Sequence, residues 1–484
     1  MHTRAASLLG TRYRELASNT IDYWMVSDDP SMTPEAAMAA FDAAPILPAA
    51  TLSLYIHVPF CAQRCRFCAF SGGNSPDTKL AERYATLLVV QLHALMRRCP
   101  LNGHAIRAVN VGGGSPDLLG PRIATVLDAV RRLPGFSDAT ELAVEFTLST
   151  VRPAFLDMLA MHGVTKVSFG VQSTDPAVRG HMRQPRTLDH LDRVMPWLDG
   201  RFPVVNADLM TGLPGQTLAS VEEDLEHLMG HPGINAISSY LLTPGAAPSL
   251  LAATAAGKIP VAPDPLEQAL MRLATIGGFR RARWVRRGTN TYVDPRRVTA
   301  AELERMAGNE CIGASHYPAF LLGVGPQAVT SVPGARLENV VDVAQWCDLV
   351  EAGAQPIFAP KCSTTHQGDM ALWTFPLRWE GLPAQRLAEL RDSGACTPTQ
   401  LATLGALEQE GLVHAKAGGY SLSLLGEVFM GHLVRDLKAE AGQRVLDDYI
   451  AEGRALGAAV ARGQAPDGYR INNRQLAQLV VHDE

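Results

Sequence analysis

The sequence predicts an α/β fold: a partial (β/α)6 barrel followed by a C-terminal, mainly helical, winged-helix-like domain. Three observations lead there. Short apolar runs of β character alternate with helix-length amphipathic stretches between residues 51 and 242. Polar residues and glycines collect where those runs end, which is the face on which barrel active sites are built. Beyond about residue 360 the alternation gives way to short helices and a small β element.

Taken in order, residues 1–50 form an N-terminal extension that ends in the Ala/Pro-rich "FDAAPILPAA", a linker. "LSLYIHV" is the first strand; "IRAVNVGGG", "ELAVEF", "TKVSFGVQ", "PVVNADLMTG" and "NAISSYLL" follow it. Between them lie the helical stretches "DTKLAERYATLLVVQLHALMRR", "RIATVLDAVRRL", "RPAFLDMLAMHG", "HLDRVMPWLDG" and "LASVEEDLEHLMG". Buried strands that alternate with amphipathic helices mean βα units and a parallel sheet. Six in succession suit a partial or full barrel better than a two-layer sheet. The barrel and a substrate-covering segment are placed at 51–360, the winged-helix-like domain at 361–440 and a helical tail at 441–484.

Composition excludes several classes. The chain has 484 residues, 47% hydrophobic and 19% charged, which supports a large core and argues against wholesale disorder. A net charge of -5 offers no general attraction to nucleic acid or anionic membrane. The helical segment "TPTQLATLGALEQEGLV" carries two acids and no Lys or Arg, so a winged helix here lacks the basic face that phosphate contact requires. No apolar run approaches the roughly 18 residues of a membrane span, and "MHTRAASLLGTRYREL" lacks the apolar stretch of a signal peptide. The expectation is a cytoplasmic monomer.

Eight cysteines in this length form no disulfide framework. Cys99, Cys311, Cys347, Cys362 and Cys396 are scattered, as packed or surface thiols are. Cys61, Cys65 and Cys68 are not: "CAQRCRFC" follows the first strand directly. Structural zinc takes four ligands in a closed tetrahedron; His57, the nearest candidate for a fourth, lies within an apolar strand pattern, and no second Cys pair follows at finger spacing. A four-iron cube held by three thiolates keeps one iron open, and an open position marks a catalytic metal site.

With this spacing, and with Phe67 before the last cysteine, the chain resembles the radical S-adenosylmethionine superfamily. "SLYIHVPFC", "VNVGGGSP", "VEF", "FGVQS", "DLMTGLPGQT" and "LLGVGPQAV" resemble, more narrowly, the oxygen-independent coproporphyrinogen III oxidase family, with its heme chaperones and class C radical methylases. The resemblance runs in order from about residue 50 to 440. It implies a [4Fe-4S] cluster on Cys61, Cys65 and Cys68, whose open iron binds S-adenosylmethionine and splits it to a 5′-deoxyadenosyl radical. It implies nucleotide contacts from Tyr55, Gly113, Gly114 and Ser115 (with Gly112 in the same run), and from Glu145, Gln172 and Asp208; Phe70 is a candidate to stack near the adenine. It places Met210, Thr243 and Val329 at a second S-adenosylmethionine, and Phe67 and Arg183 among the cofactor-binding residues.

The chain also departs from the oxidase pattern. Gln184 stands where an arginine is expected, with Arg183 one residue earlier, and one residue on a helix turns a side chain by about 100°. "NECIGASHYP" replaces the oxidase's substrate-facing segment, which makes Cys311, His316 and Tyr317 the candidate catalytic groups for hydrogen or proton donation. These departures favour class C methyl or methylene transfer from a second S-adenosylmethionine to an sp2 carbon, as methylation or cyclopropanation. The alternatives are oxidative decarboxylation of coproporphyrinogen III, anaerobic heme processing and heme carriage. A small-molecule substrate, either natural product or tetrapyrrole, and an electron donor such as flavodoxin or ferredoxin are implied. "GGFRRARWVRRGTN", residues 277–290, is a basic stretch that suits a carboxylated tetrapyrrole, or else a solvated loop.

Overall fold

The computed structural model describes residues 1–13, 32–46, 50–68, 73–242, 248–306, 319–333, 335–362, 381–392 and 396–437. Phe70, Thr243, Cys311, His316, Tyr317 and the tail at 441–484 lie outside the described residues.

Six strands carry the expected rhythm: β1 Thr51–Val58, β2 Ile106–Gly113, β3 Glu141–Phe146, β4 Lys166–Gln172, β5 Val204–Thr211 and β6 Ala236–Leu241. Each pairs in parallel with the next. Every strand is thus added to the same edge, as in a barrel; a doubly wound sheet would reverse direction. The helices between them start where the sequence provides caps. Asp77 accepts from Leu80 N–H at 2.8 Å ahead of Thr78–Arg98, and Thr217 and Ser220 form a capping box ahead of Leu218–Gly230.

The sheet is longer than six strands. It includes β7 Val285–Arg286, β8 Thr291–Val293, β9 Ala319–Val324, β10 Val329–Val332, β11 Ala335–Asn339 and β12 Ile357–Cys362. The full order is β12-β11-β10-β9-β1-β2-β3-β4-β5-β6-β8-β7. β9 joins β1 in parallel, so the parallel wall has a seventh member, while antiparallel extensions finish both ends. β1 and β6 do not pair, and the barrel stays open between its two extensions.

Side-chain alternation divides β5 between two environments. Val205, Ala207 and Leu209 face the helices and share one apolar core with Leu225, Leu228 and Phe279, whereas Asn206 and Asp208 hydrogen-bond on the opposite, inner face. The segment before β1 is built as well: the helix Pro34–Asp42 buries Ala37, Met38 and Phe41 in the same core. At the far end, the helices Ala384–Asp392 and Pro398–Gln409 precede a hairpin, β13 Val413–Lys416 with β14 Gly419–Leu422, and two short helices, Leu424–Val428 and Met430–Asp436. Among the described residues no helix is long and apolar enough to cross a membrane.

Candidate active site

The loop after β1 is held from both sides. Gly73 N–H donates to Pro59 O at 2.7 Å and Cys61 N–H donates to Gly73 O at 3.1 Å, closing the loop on itself. Arg66 anchors it to the segment after β4, its amide donating to Met182 O at 3.1 Å and its guanidinium to His181 O at 2.6 Å. Cys68 N–H reaches Cys65 O at 3.3 Å, so these two cysteines share one turn. Burial, then the neighbouring Cys68 sulfur, push the Cys61 thiol up to about 11 and the Cys65 thiol up to about 12. Iron must displace those protons, since only the thiolate is a ligand. Among the described residues no three His, Cys, Asp or Glu side chains converge closely enough for a single ion. The donor set of this loop, three cysteines, suits a cube in which each iron takes its own thiolate. His57 is turned to other work: its Nδ1 lies 2.9 Å from the Tyr55 hydroxyl inside the strand.

Beside the loop the end of β2 brings backbone close to a carboxylate. Gly113 N–H donates to Glu145 at 3.1 Å, and Asn110 Nδ2 donates to the same carboxylate at 3.1 Å. A Cβ at Gly112 would lie 2.3 Å from that carboxylate, and one at Gly114 would lie 2.4 Å from the carbonyl of Phe60. Gly113 has φ +109, a conformation that side chains avoid. The three glycines therefore form a cradle that any side chain would fill. Ser115 closes it, its hydroxyl donating to Asp117 and lying 2.8 Å from Thr147 Oγ1.

Gln172 ends β4 with φ 69, after an irregularity in pairing between Gly170 and Gln172. Its Oε1 is buried and has no hydrogen-bond partner. A non-glycine residue held left-handed, presenting an orphaned acceptor, is the kind of local cost that collects at ligand sites. Asp208 belongs to a satisfied row: Asn206 Nδ2 donates to it at 2.9 Å and to Ser168 Oγ at 2.8 Å, and Ser238 Oγ donates to Asn206 at 3.0 Å. Burial, reinforced by the Glu145 charge, raises its carboxyl to about 7. Backbone, carboxylates and a free acceptor at the strand ends fit a ligand that carries an ammonium and ribose hydroxyls.

An open cleft lies beside the cysteine loop. It is lined by Cys61, Cys65, Thr147, Gly170, Arg183 and Gln184, among others. The structure thus brings Gln184 and Arg183 together against the cysteine loop, with Gln184 near Cys65. Phe67 and Met210 meet in one apolar cluster with Val178, Met182 and Leu213. Val329 begins β10, is buried, and pairs with Glu338. Tyr55 is buried beside Leu321 and Ala328.

Residues that pattern reading passed over include Asn110, which holds Glu145, and Arg179, which is buried and donates to Val171, Ser173 and Pro185 carbonyls at 2.6–2.9 Å. Burial holds the Arg179 guanidinium below its ordinary value, and it faces Cys65. An arginine in the short helix Pro176–His181, directly after β4, was its only signal.

Residues 55–228 match the model of the radical SAM superfamily. The chain is 34% identical over 198 residues to an oxygen-independent coproporphyrinogen III oxidase of Cereibacter sphaeroides, covering 40% of this chain and 44% of that protein. It is 31% identical over 216 residues to the heme chaperone HemW of Mycobacterium tuberculosis, covering 40% and 50%. A longer match, 26% identical over 322 residues, is to an anaerobic coproporphyrinogen III oxidase of C. sphaeroides, covering 64% and 68%. The chain thus spans about half the length of the first two of these relatives. In fold it is similar to coproporphyrinogen III oxidase (HemN) from Escherichia coli, with TM-score 0.69 and 19% identity over 87% of this chain and 98% of that one.

The open parallel sheet and the three-cysteine loop at its end define a radical S-adenosylmethionine domain. Within that superfamily the chain is similar in sequence to oxygen-independent coproporphyrinogen III oxidases and a heme chaperone, and in fold to one such oxidase.

Proposed function

We propose that the chain is a radical enzyme acting on a carboxylated tetrapyrrole of the coproporphyrinogen class, by oxidative decarboxylation. The observation that carries this reading is the cysteine loop beside the Gly112–Gly114 cradle and Glu145, in a chain whose relatives are named coproporphyrinogen III oxidase and heme chaperone. When bound, a [4Fe-4S] cluster with S-adenosylmethionine supplies a 5′-deoxyadenosyl radical for hydrogen abstraction. Cys61, Cys65 and Cys68 would hold the cluster. Gly113, Gly114 and Glu145 would receive the methionine end of the nucleotide, and Gln172 and Asp208 its ribose. The chain's share of the chemistry is to position these partners and exclude water. The exposed tip Ala62–Arg64 leaves the cluster loop open to an electron donor such as flavodoxin or ferredoxin.

Methyl or methylene transfer is the second reading. It keeps one specific observation, Gln184 in place of the expected arginine, set against Cys65 in the cleft. The elements assigned to a second nucleotide support it less: Met210 is accounted for by apolar packing. Cys311, His316 and Tyr317 remain candidates for hydrogen or proton donation to the substrate.

Anaerobic turnover with reductant, S-adenosylmethionine and coproporphyrinogen III, followed by mass spectrometry, separates the readings. Deoxyadenosine with loss of carbon dioxide from the porphyrinogen is the expected result. S-adenosylhomocysteine with a methylated product would replace it by methyl transfer, and heme binding without turnover by heme carriage.

A further inference from the structure

The hairpin β7–β8 extends the barrel wall and brings its tip to the ligand-binding end. β8 runs antiparallel to β6 with Ser238 opposite Thr291, and Ser239 N–H donates to Asn290 O at 2.9 Å. Residues 287–290 therefore lie beside the end of β6, the face where the other strands present Glu145 and Gln172.

Alternation fixes which way the tip faces. Arg286 pairs with Tyr292, whose ring stacks on Phe279 of the helix Pro265–Arg281 at 4.2 Å, so this pair is on the outer side. Arg287 N–H donates to Thr291 O at 2.8 Å, placing the next pair on the inner side. Thr291 Oγ1 lies 2.9 Å from Ser238 Oγ and so continues the row that runs through Asn206 to Asp208.

Four of the nearby arginines are accounted for. Arg280 meets Glu427 at 2.6 Å, Arg296 and Arg297 share Asp294, and Arg272 donates to Ser239 O at 3.0 Å. Arg287 differs: it is half-buried, and its Nε is shut off from solvent with no hydrogen-bond partner. A guanidinium nitrogen stripped of water and unmatched is costly until an acceptor reaches it. Its planar fork suits a carboxylate, which it can hold through two parallel hydrogen bonds.

We infer that Arg287 is an anion clamp on the inner barrel wall, which takes a carboxylate of the substrate and sets its orientation against the cysteine loop. This rests on the tetrapyrrole reading above and adds to it a residue that selects for acidic side chains.

The test is equilibrium binding of coproporphyrin III and of its tetramethyl ester to the cluster-loaded protein, read by porphyrin fluorescence. The wild type is expected to bind the acid, and R287Q to bind it roughly tenfold more weakly, the loss of a charged hydrogen bond. R287K is expected to fall between them, and the ester to bind wild type and R287Q alike. The spectral response of the cluster to S-adenosylmethionine, unchanged in both variants, establishes that they are folded. Equal affinity of wild type and R287Q for the acid would overturn the clamp and leave the tetrapyrrole reading standing. A wild type that binds neither porphyrin would overturn that reading, and the clamp with it.

Discussion

Asp208 shares the inner wall with Glu145, and burial with that neighbouring charge raises its carboxyl from 3.8 to about 7. Between those values the unfolded chain gives up the proton while the folded chain keeps it. Asp208 therefore withdraws stability as pH rises through the window, and its ionisation costs the fold most above pH 7. D208N is expected to gain on the order of 1–2 kcal/mol over wild type at pH 8 and to gain little at pH 4. Thermal unfolding across that range checks this, and parallel curves for the two proteins would refute the raised value. At the same scale, Cys65→Ala removes one of three thiolates. Anaerobic reconstitution should then fall from roughly four irons per chain to a small fraction of that; full loading would remove Cys65 from the ligand set.

The element that prepares the site is the end of β2. Gly113→Ala places a side chain at φ +109, with its Cβ 2.3 Å from the His57 ring. It is expected to cost roughly 2–4 kcal/mol and to weaken S-adenosylmethionine binding. Denaturant unfolding and calorimetry would measure both, and wild-type values would mean that the glycine run is only a turn. Much of this architecture was legible in the sequence. "ELAVEF" is β3 residue for residue, and "LASVEEDLEHLMG" is the helix Leu218–Gly230, because buried parallel strands and amphipathic helices write different periods. Positions 61, 65 and 68 announced themselves by spacing. The extensions β7–β8 and β10–β12 did not, because two- to six-residue antiparallel strands carry too few alternations to register. Asn110 and Arg179 were illegible for another reason: their roles depend on partners that the local pattern does not show, whereas Arg287 lay within the basic stretch 277–290 but was not told apart there from its neighbours.

Across the whole molecule, the C-terminal elements are held to the barrel through a few polar contacts as well as the shared core. Glu427 accepts from Arg280 at 2.6 Å and from the Tyr292 hydroxyl at 3.4 Å, and Arg12 bridges Glu410 and Asp436 from the N-terminal helix His2–Thr11. We propose that the expected winged-helix-like unit at 361–440, whose residues 381–392 and 396–437 are among those described, is clasped by this N-terminal helix. Glu427→Ala would leave the buried Tyr292 hydroxyl without its acceptor. It should cost about 1–3 kcal/mol and raise amide hydrogen exchange over 398–437 ahead of the barrel; exchange that rises evenly through the chain would argue for one cooperative unit. The central claim, that three thiolates hold a cube with one iron left for the nucleotide, has a direct measurement. Electron paramagnetic resonance of the anaerobically reconstituted, reduced protein should show a [4Fe-4S] signal that changes when S-adenosylmethionine is added. A protein that takes up zinc instead, or a cluster signal that added S-adenosylmethionine leaves unmoved, would contradict it.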